Sequence, residues 1–281
     1  MRGIAPGLHL VAVPIGAARD ITLRALDTLA AADVLAAEDT RTLRKLLDIH
    51  GVPLGERPLV SYHDHNGAEV RPRLLRFLAE GRSVAYASEA GTPLVADPGY
   101  ALVRDAVAGG HPVTTAPGAS AVLAALTVAG LPTDRFLFAG FAPSTAAARK
   151  SFLAELAAVP ATLVLYESPK RLGAALAAMS DVLGAERRAA VCRELTKRFE
   201  EVRRGTLGEL ATAYAGVSVK GEVVLVVDRG HAVAGAADLE AALRAAMERM
   251  SVKDAAAAVA EALGLPRRQV YQAALALAAQ E

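Results

Sequence analysis

Short apolar runs alternate with amphipathic stretches along the first half of the chain, and this alternation limits the possible folds more than any other feature. The amphipathic stretches repeat their aliphatic residues near helical spacing, as in "ITLRALDTLAAA", and the stretch before Gly81 ends as helices do. The apolar runs are candidate strands at 8–13, 34–37, 59–62, 83–87 and 112–116. Strands that alternate with helices form βα units, which predicts an α/β fold with an open, doubly wound, mostly parallel sheet.

The second half has a different pattern, which begins with the apolar helix "GASAVLAALTVAGLP". Five strand-like runs follow it: "RFLFAGF", "ATLVLYES", "AAVCREL", "EEVRRGTL" and "GEVVLVVD". Only "TKRF" separates the third run from the fourth, so these two are predicted to pair antiparallel and to make the second sheet mixed. A chain of 281 residues usually has more than one core. We predict an N-terminal α/β domain at 1–117 and a C-terminal α/β domain with a mixed sheet at 118–232.

The last part of the chain, 233–281, is predicted to be a small helical extension. The small-residue linker "HAVAGAA" leads into three helices, and the last two, joined by "GLPRR", look like a helix-turn-helix. The predicted helix starts are Asp238, Ser251 and Pro266. Five Lys or Arg stand against six Asp or Glu in this part. Two roles therefore stay open: packing on the body or on a dimer partner, and RNA contact through Arg267 and Arg268.

The composition excludes several classes of protein. Apolar residues make up 53% of the chain and charged residues 22%, without a run of 18 apolar residues, which favours a globular protein without a membrane span. The apolar stretch before Pro14 is too short for a signal peptide, so we expect a cytoplasmic protein. Cys192 is the only cysteine, which excludes a disulfide framework and a cysteine zinc site within one chain.

Charge is distributed unevenly along the sequence. The net charge of +1 gives no overall attraction to nucleic acid. Residues 187–205, however, hold seven Lys or Arg against three Glu. This local excess could hold phosphate, and it fits the solvated face of a strand pair equally well.

The loops after the predicted strands carry polar residues suited to chemistry. In an open α/β sheet, ligands bind beyond the carboxyl ends of the strands, where loops converge and helix N-termini present free N–H groups. "VPIGAARDIT" follows the first strand with Asp20 able to cap the next helix, and "AEDTRTLRKLL" follows the second with Glu38, Asp39 and Arg41 together. An ordinary helix N-cap explains "AEDT" as well as a catalytic turn does.

Two further loops extend this set. "YHDHNG" places His63 and His65 on either side of an acid, and we favour a structural or substrate-contact role over a metal site, so no metal is predicted. "SEAGTPLVADPGY" restricts its backbone with two glycines and two prolines. Such a loop suits close approach of main-chain atoms to a ligand.

Three common motifs are absent from the sequence. No G-x-G-x-x-G follows a strand, no G-x-x-x-x-G-K-[ST] occurs, and no serine elbow is present. These absences disfavour a dinucleotide dehydrogenase, a P-loop NTPase and an α/β-hydrolase. The glycine-rich first loop of ordinary Rossmann-type methyltransferases is missing as well.

Nine motifs, taken in order, resemble those of one family. They are "VPIG…DIT", "AEDTR", "HDHN", "SEAGTPLVADPGY", "PGASA", "AGLPTDRF", "YESPKRL", "RELTK" and "KGEVVLVV". Over about residues 8–228 the chain is similar to the tetrapyrrole-methylase-fold, or class III, S-adenosylmethionine methyltransferases. Three of the motifs, "AEDTR", "HDHN" and "YESPKRL", are typical of the RNA-modifying branch rather than of the corrin or sirohaem enzymes.

The resemblance implies two α/β domains that hold S-adenosylmethionine in the cleft between them, and a homodimer. It implies methyl transfer to the ribose 2′-hydroxyl of a decoding-centre cytidine in small-subunit ribosomal RNA, with the assembled 30S subunit as the expected partner. The cofactor contacts that it implies in this sequence are Pro14, Ser88, Glu89, Ala90, Gly91, Thr92, Pro93, Ser120, Ala121, Tyr166, Leu195, Thr196, Gly221 and Glu222. Ala17 and Glu89 depart from the family pattern, which has Asn and Asp there, so the longer acid must reach any partner by a different rotamer.

Methyl transfer to a hydroxyl needs oriented reactants and a group that accepts the hydroxyl proton. The candidate bases are Glu38, Asp39 and His63, and their spacing singles out none of them. The candidate phosphate contacts are Arg41, Lys170, Arg171, Arg193 and Lys197. Two other functions stay open: a tetrapyrrole C-methyltransferase of the same fold, and a non-catalytic RNA-binding factor of ribosome assembly.

Overall fold

The first half of the chain forms one parallel sheet. A computed structural model describes residues 3–229, 236–263, 265 and 267–279. The first five strands are β1 (Gly7–Val11), β2 (Val34–Ala37), β3 (Leu59–Ser61), β4 (Ser83–Ala87) and β5 (Val113–Ala116). They pair in the order β3-β2-β4-β1-β5, and every pairing is parallel. Each predicted run of the first half coincides with one of these strands to within two residues.

Helices cover both faces of this sheet, as the doubly wound prediction required. They are α1 (Leu23–Ala31), α2 (Thr40–Ile49), α3 (Gly67–Ala79) and α4 (Tyr100–Ala108). Leu29 and Leu47 pack on one face, and Leu74 and Leu102 on the other. Both β2 and β4 are buried along their whole length, which explains why they are apolar except for Ser83 at the start of β4.

The starts of α1 and α2 test two of the predicted caps. Asp39 caps α2, because its side chain accepts a hydrogen bond from the backbone N–H of Arg41. The prediction that Asp20 caps the first helix is wrong. Thr22 caps α1 instead, and its hydroxyl accepts from the backbone N–H of Ala25. The chain needs a short 3₁₀ turn, Ala18–Asp20, before the helix can begin.

The second half forms a mixed sheet that is flanked by helices. Its elements are α5 (Ala121–Ala129), β6 (Phe136–Phe141), α6 (Ala146–Ala157), β7 (Thr162–Glu167), α7 (Leu172–Leu183), β8 (Arg188–Arg193), β9 (Glu201–Thr206), α8 (Leu207–Ala213) and β10 (Val223–Val227). The strand order is β6-β7-β10-β8-β9, with β6 and β7 parallel and the other pairs antiparallel. The predicted antiparallel pairing across "TKRF" is confirmed as β8 with β9.

The loop after β1 joins the first lobe (7–116) to the second lobe (121–227). Ile15 is buried in the second lobe's core, together with side chains of α5 and β10. The backbone N–H of Ala17 donates to Thr196 Oγ1 at 3.1 Å. A Cβ atom on Gly16 would lie only 2.5 Å from Lys197 Cγ, so a side chain at this position would push the lobes apart.

The C-terminal part forms three packed helices, α9 (Ala236–Met247), α10 (Val252–Leu263) and α11 (Arg267–Ala278). Helix α10 begins after Ser251, as predicted, and the Ser251 hydroxyl accepts from the N–H of Asp254. Helix α9 begins two residues before Asp238, so that predicted start is wrong. The predicted start at Pro266, the predicted linker up to residue 235 and the predicted boundary at 232 lie outside the described residues.

The division of the chain at 117 and 232 remains our proposal. The first sheet ends at Ala116, and α5 packs on the second sheet, which supports the earlier boundary. None of the described helices combines the length and apolar character needed to cross a bilayer.

Candidate active site

A cavity of about 350 Å³ lies between the two lobes. This volume falls within the range of small-molecule pockets, roughly 300–1,000 Å³. The loops after β1, β4, β7 and the start of β10 contribute to its lining, as expected for a site beyond the carboxyl ends of parallel strands. Eight of the predicted cofactor contacts line it: Ala90, Gly91, Thr92, Ser120, Ala121, Tyr166, Gly221 and Glu222.

The loops after β1 and β4 form the wall of the cavity on the side of the first lobe, called the first wall below. Main-chain hydrogen bonds hold these two loops together. Val13 and Gly91 exchange two backbone bonds, of 2.9 and 3.0 Å, which join the loop after β1 to the loop after β4. The Thr92 hydroxyl donates to the carbonyl of Ala119 at 3.0 Å. Gly91 has a left-handed φ of 74°, and a Cβ atom there would lie 3.2 Å from Ile15. Both the backbone conformation and the space therefore favour glycine at this position of the cavity lining.

The loop after β8 and the segment before β10 form the wall on the side of the second lobe, called the second wall below. Ion pairs are the main interactions that hold it. Lys197 Nζ lies 3.0 Å from Glu194 Oε1 and 2.7 Å from Glu222 Oε2. Glu194 Oε1 also accepts from the backbone N–H of Glu222 at 2.9 Å, so this carboxylate joins two loops. The backbone N–H of Glu222 and the ammonium of Lys197 both lower the pKa of Glu194. Gly221 approaches Glu194 so closely that a Cβ atom would overlap its carboxylate at 2.3 Å.

Four non-glycine residues have a positive φ in the described part of the chain, and all four lie in these two walls. They are Leu94 and Ala96 in the first wall, and Glu194 and Thr196 in the second. Such conformations raise the energy of a non-glycine residue by about 1–3 kcal/mol each and concentrate at functional sites. The two walls are therefore the most strained loops described in the molecule.

Six predicted cofactor contacts do not reach the cavity lining. Ser88 and Leu195 are buried, Pro14 and Pro93 are sequence neighbours of lining residues, and Thr196 accepts a hydrogen bond from the backbone N–H of Ala17. The side chain of Glu89 is exposed, while its backbone N–H donates to Glu38 Oε2 at 3.1 Å. Both departures from the family pattern, at 17 and 89, thus make their contacts through the main chain. Their side chains do not take part in these bonds.

None of the three candidate bases lines the cavity. Glu38 accepts a hydrogen bond from the backbone N–H of Glu89, in the loop after β4. Asp39 forms an ion pair with Arg41 at 2.8 Å, and this hydrogen-bonded pair lowers the pKa of Asp39 to about 2. His63 has a buried Nδ1 without a hydrogen-bond partner among the described residues. Their catalytic roles remain predictions.

Two acids in the cavity lining were not predicted, Asp97 and Glu167. Asp97 belongs to the "VADPG" end of the loop after β4, and its position directly before the turn-forming Pro98 and Gly99 was the available signal. Glu167 ends β7 and is 3% exposed. Its Oε1 accepts from the Ser168 N–H and lies 2.7 Å from Arg171, whereas its Oε2 has no partner in the described structure. A buried strand that ends on an acid was the signal for Glu167.

Aromatic rings close one side of the cavity. Tyr166 makes edge-to-face contacts with Phe138 and Phe141, at centroid distances of 4.8 and 5.5 Å. Burial raises the pKa of Tyr166 to about 12, with Asp97 and Glu222 adding to the shift. The phenol is therefore neutral across the physiological range. Phe141 is 54% exposed although it lines the cavity, so this side opens to solvent.

The five predicted phosphate contacts differ in how free they are. Lys170 is exposed on the short turn before α7, and Arg41 has a 90% exposed side chain that is paired with Asp39. The other three are less exposed and are also engaged in ion pairs: Arg171 with Glu167, Arg193 with Glu201, and Lys197 with Glu194 and Glu222. No group of three or more metal-ligating side chains occurs among the residues that the structure covers.

Comparison with known proteins identifies the class. The chain matches the family model described as Tetrapyrrole (Corrin/Porphyrin) Methylases over residues 7–211 and the model described as RsmI C-terminal HTH domain over 233–278. Uroporphyrin-III C-methyltransferase from Thermus thermophilus has the same fold, with a TM-score of 0.55 and 24% identity over 79% of this chain and 94% of that one. The fold and the cleft thus define a methyltransferase of the tetrapyrrole methylase class.

Curated relatives place the chain within this class. Ribosomal RNA small subunit methyltransferase I of Mesorhizobium japonicum is 50% identical over 278 residues, which are 98% of this chain and 94% of the relative. The protein of the same name from Pseudomonas aeruginosa is 44% identical, over 95% of this chain and 96% of the relative. The chain belongs to the family of ribosomal RNA small subunit methyltransferase I. The resemblance drawn from nine sequence motifs is confirmed.

Proposed function

We propose that this protein transfers a methyl group from S-adenosylmethionine to the 2′-hydroxyl of a decoding-centre cytidine in small-subunit ribosomal RNA. The observation that carries the proposal is 50% identity, over nearly the whole chain, to a relative named ribosomal RNA small subunit methyltransferase I. This identity spans both walls of the cleft as well as the helical extension. A solved structure of the same fold, at 23% identity, is a uroporphyrin-III C-methyltransferase complexed with S-adenyl homocysteine.

The cleft fits S-adenosylmethionine in both volume and charge. Three residues with charged side chains line the described cavity, and all three are acids: Asp97, Glu167 and Glu222. A sulfonium donor carries positive charge, which such a lining favours. The unpaired, buried Oε2 of Glu167 is an acceptor that a donor group of the ligand would satisfy.

The proposed binding residues act mainly through their backbone. Gly91 and Thr92 present main-chain atoms of the rigid first wall, and Ser120 and Ala121 present the N-terminus of α5. Tyr166 supplies an aromatic face from the second lobe, with Gly221 and Glu222 beside it. When bound, S-adenosylmethionine supplies an electrophilic methyl group on sulfur. The protein fixes the direction of approach and excludes water, effects worth several kcal/mol.

The RNA would reach the cleft across its solvent-open side. We propose Arg41 and Lys170 as the principal phosphate contacts, because they are the exposed members of the five candidates. Arg41, like Arg171, Arg193 and Lys197, would have to exchange an intramolecular carboxylate for a phosphate. The proposal also includes the assembled 30S subunit as substrate, a homodimer and a cytoplasmic location.

The test is methyl transfer by the purified protein to small ribosomal subunits that lack the modification. We expect S-adenosylmethionine-dependent labelling of one nucleoside, identified by mass spectrometry of digested RNA as a 2′-O-methylcytidine. Free ribosomal RNA and a tetrapyrrole acceptor serve as parallel substrates. Methylation of a base, of the tetrapyrrole alone, or of nothing at all would refute the proposal.

A further inference from the structure

The three carboxylates of the cavity lining differ in their pairing. Glu167 forms an ion pair with Arg171, and Glu222 with Lys197. Asp97 has no ion pair in the part of the chain that the structure covers. A carboxylate that is bound to a cation is held in its ionised form and accepts a proton poorly. Asp97 is therefore the lining acid best able to take up a proton.

The backbone around Asp97 is held in one unusual conformation. Ala96, directly before it, has a left-handed φ of 62°, and Gly99 has a φ of 126°. The buried hydroxyl of Tyr86 donates to the carbonyl of Pro98 at 3.0 Å, directly after Asp97. A Cβ atom on Gly99 would lie 2.9 Å from the Tyr86 ring, so the turn packs tightly on that ring. Asp97 is thus mounted rigidly, as a group that acts on a positioned substrate must be.

We propose that Asp97 is a catalytic residue whose carboxylate accepts the 2′-hydroxyl proton of the acceptor ribose. This inference rests on the proposed function. As the new bond forms between the ribose oxygen and the methyl carbon, the carbon–sulfur bond of the donor breaks and its electron pair stays on sulfur. The proton moves from the ribose oxygen to Asp97 and passes to water after the products leave.

The electrostatic surroundings of Asp97 agree with this role. Burial raises the pKa of Asp97 to about 6, and three neighbouring carboxylates add to the shift, while the nearby Ser88 hydroxyl opposes it. The titratable groups that face it are Glu38, Glu89, Glu222, Tyr86 and Tyr166. A carboxylate of this pKa is ionised at neutral pH but more basic than an ordinary aspartate, which suits a general base.

The test compares Asp97→Asn, Asp97→Glu and the wild type in single-turnover methyl transfer to small subunits, with donor affinity measured by calorimetry. The control is Asp27→Asn, the same change at an exposed site on α1. We expect Asp97→Asn to lose roughly 10²–10⁴-fold in transfer rate without loss of donor affinity. Asp97→Glu should restore part of the rate. The wild-type rate should rise with pH through about 6, a limb that Asp97→Asn lacks.

Stability measurements check that the variant is folded. The folded-state pKa of Asp97 is raised above its ordinary value, so ionisation destabilises the fold as pH rises from about 4 to 6. Asn cannot ionise, so the melting temperature of Asp97→Asn relative to wild type should increase over this interval. If the wild type transfers methyl groups and Asp97→Asn does so at the same rate, or loses only donor affinity, the inference fails alone. If the wild type transfers none to ribosomal RNA, the proposed function fails and the inference fails with it.

Discussion

The two walls of the cleft contain the same kind of strained backbone but are held by different forces. In the first wall, two main-chain hydrogen bonds hold Gly91, and the Thr92 hydroxyl adds a bond to a main-chain carbonyl. In the second wall, the Lys197 ammonium holds two carboxylates together across two loops. Main-chain bonds in a buried loop are almost independent of salt and pH, whereas partly exposed ion pairs depend on both. We therefore expect the stability of the first wall to be independent of salt and pH and that of the second wall to depend on both. Below, they are called the fixed wall and the adjustable wall.

The largest expected effect comes from breaking the fixed wall with Gly91→Val. A β-branched residue is strained at a φ of 74°, and its Cβ would press on Ile15. We expect at least a tenfold loss of donor affinity, which corresponds to about 1.4 kcal/mol or more, measured by calorimetric titration with S-adenosylmethionine.

Gly81→Val is the matched control for Gly91→Val. Gly81 has nearly the same φ, 73°, but a Cβ atom there has nothing within 4 Å, and the position is remote from the cavity. Both variants should lose comparable stability from backbone strain, and only Gly91→Val should lose donor affinity. Equal donor affinity in the two variants would contradict the assignment of the first wall.

An intermediate effect is expected from Glu167→Gln. This change removes a buried charge from the cavity lining at the end of β7. Arg171 then loses its counter-ion while it is only 26% exposed. We expect a loss of about 1–3 kcal/mol in the free energy of unfolding, measured by urea denaturation. Glu201→Gln breaks a pair whose cation, Arg193, is 20% exposed but whose carboxylate is 43% exposed, against 1% for Glu167, and it should cost less than about 1 kcal/mol. If the two losses are equal, burial does not distinguish these pairs.

The smallest effect is expected from Lys197→Met, which removes both ion pairs of the adjustable wall. Because these carboxylates are partly exposed, the loss of stability should be about 0.5–1 kcal/mol. The melting temperature of the variant should also depend less on salt concentration than that of the wild type. Lys150→Met, at a surface pair with Asp181, provides the comparison. A salt dependence unchanged in Lys197→Met would show that the second wall is as fixed as the first.

The strands were predictable because burial on both faces leaves a direct pattern in the sequence. Each of the ten predicted runs overlaps a strand, including β10, "VVLVV", which is buried along its whole length. The antiparallel turn between β8 and β9 was predictable from its length alone. Helix starts were less certain, because several polar residues compete to cap a helix. Thr22 rather than Asp20 caps α1 for this reason.

The inner surface of the cleft was only partly predictable. Eight of the fourteen cofactor contacts implied by the resemblance line the cavity, while Asp97 and Glu167 had not been assigned although both stand in motifs that the sequence analysis singled out. Left-handed conformations at Leu94 and Thr196 could not be predicted, since no local pattern marks a non-glycine residue for them.

The contact between the loop after β1 and Thr196 reverses the usual link between solvent exposure and tolerance to substitution. Gly16 is exposed, yet it has no room for a side chain, while the partly buried Ala17 contributes only an amide to its bond. Replacement at 16 would therefore act as a wedge, whereas replacement at 17 would leave the joint intact. A spectroscopic probe attached at position 17 would lie at the contact between the lobes and would report changes in their separation during turnover.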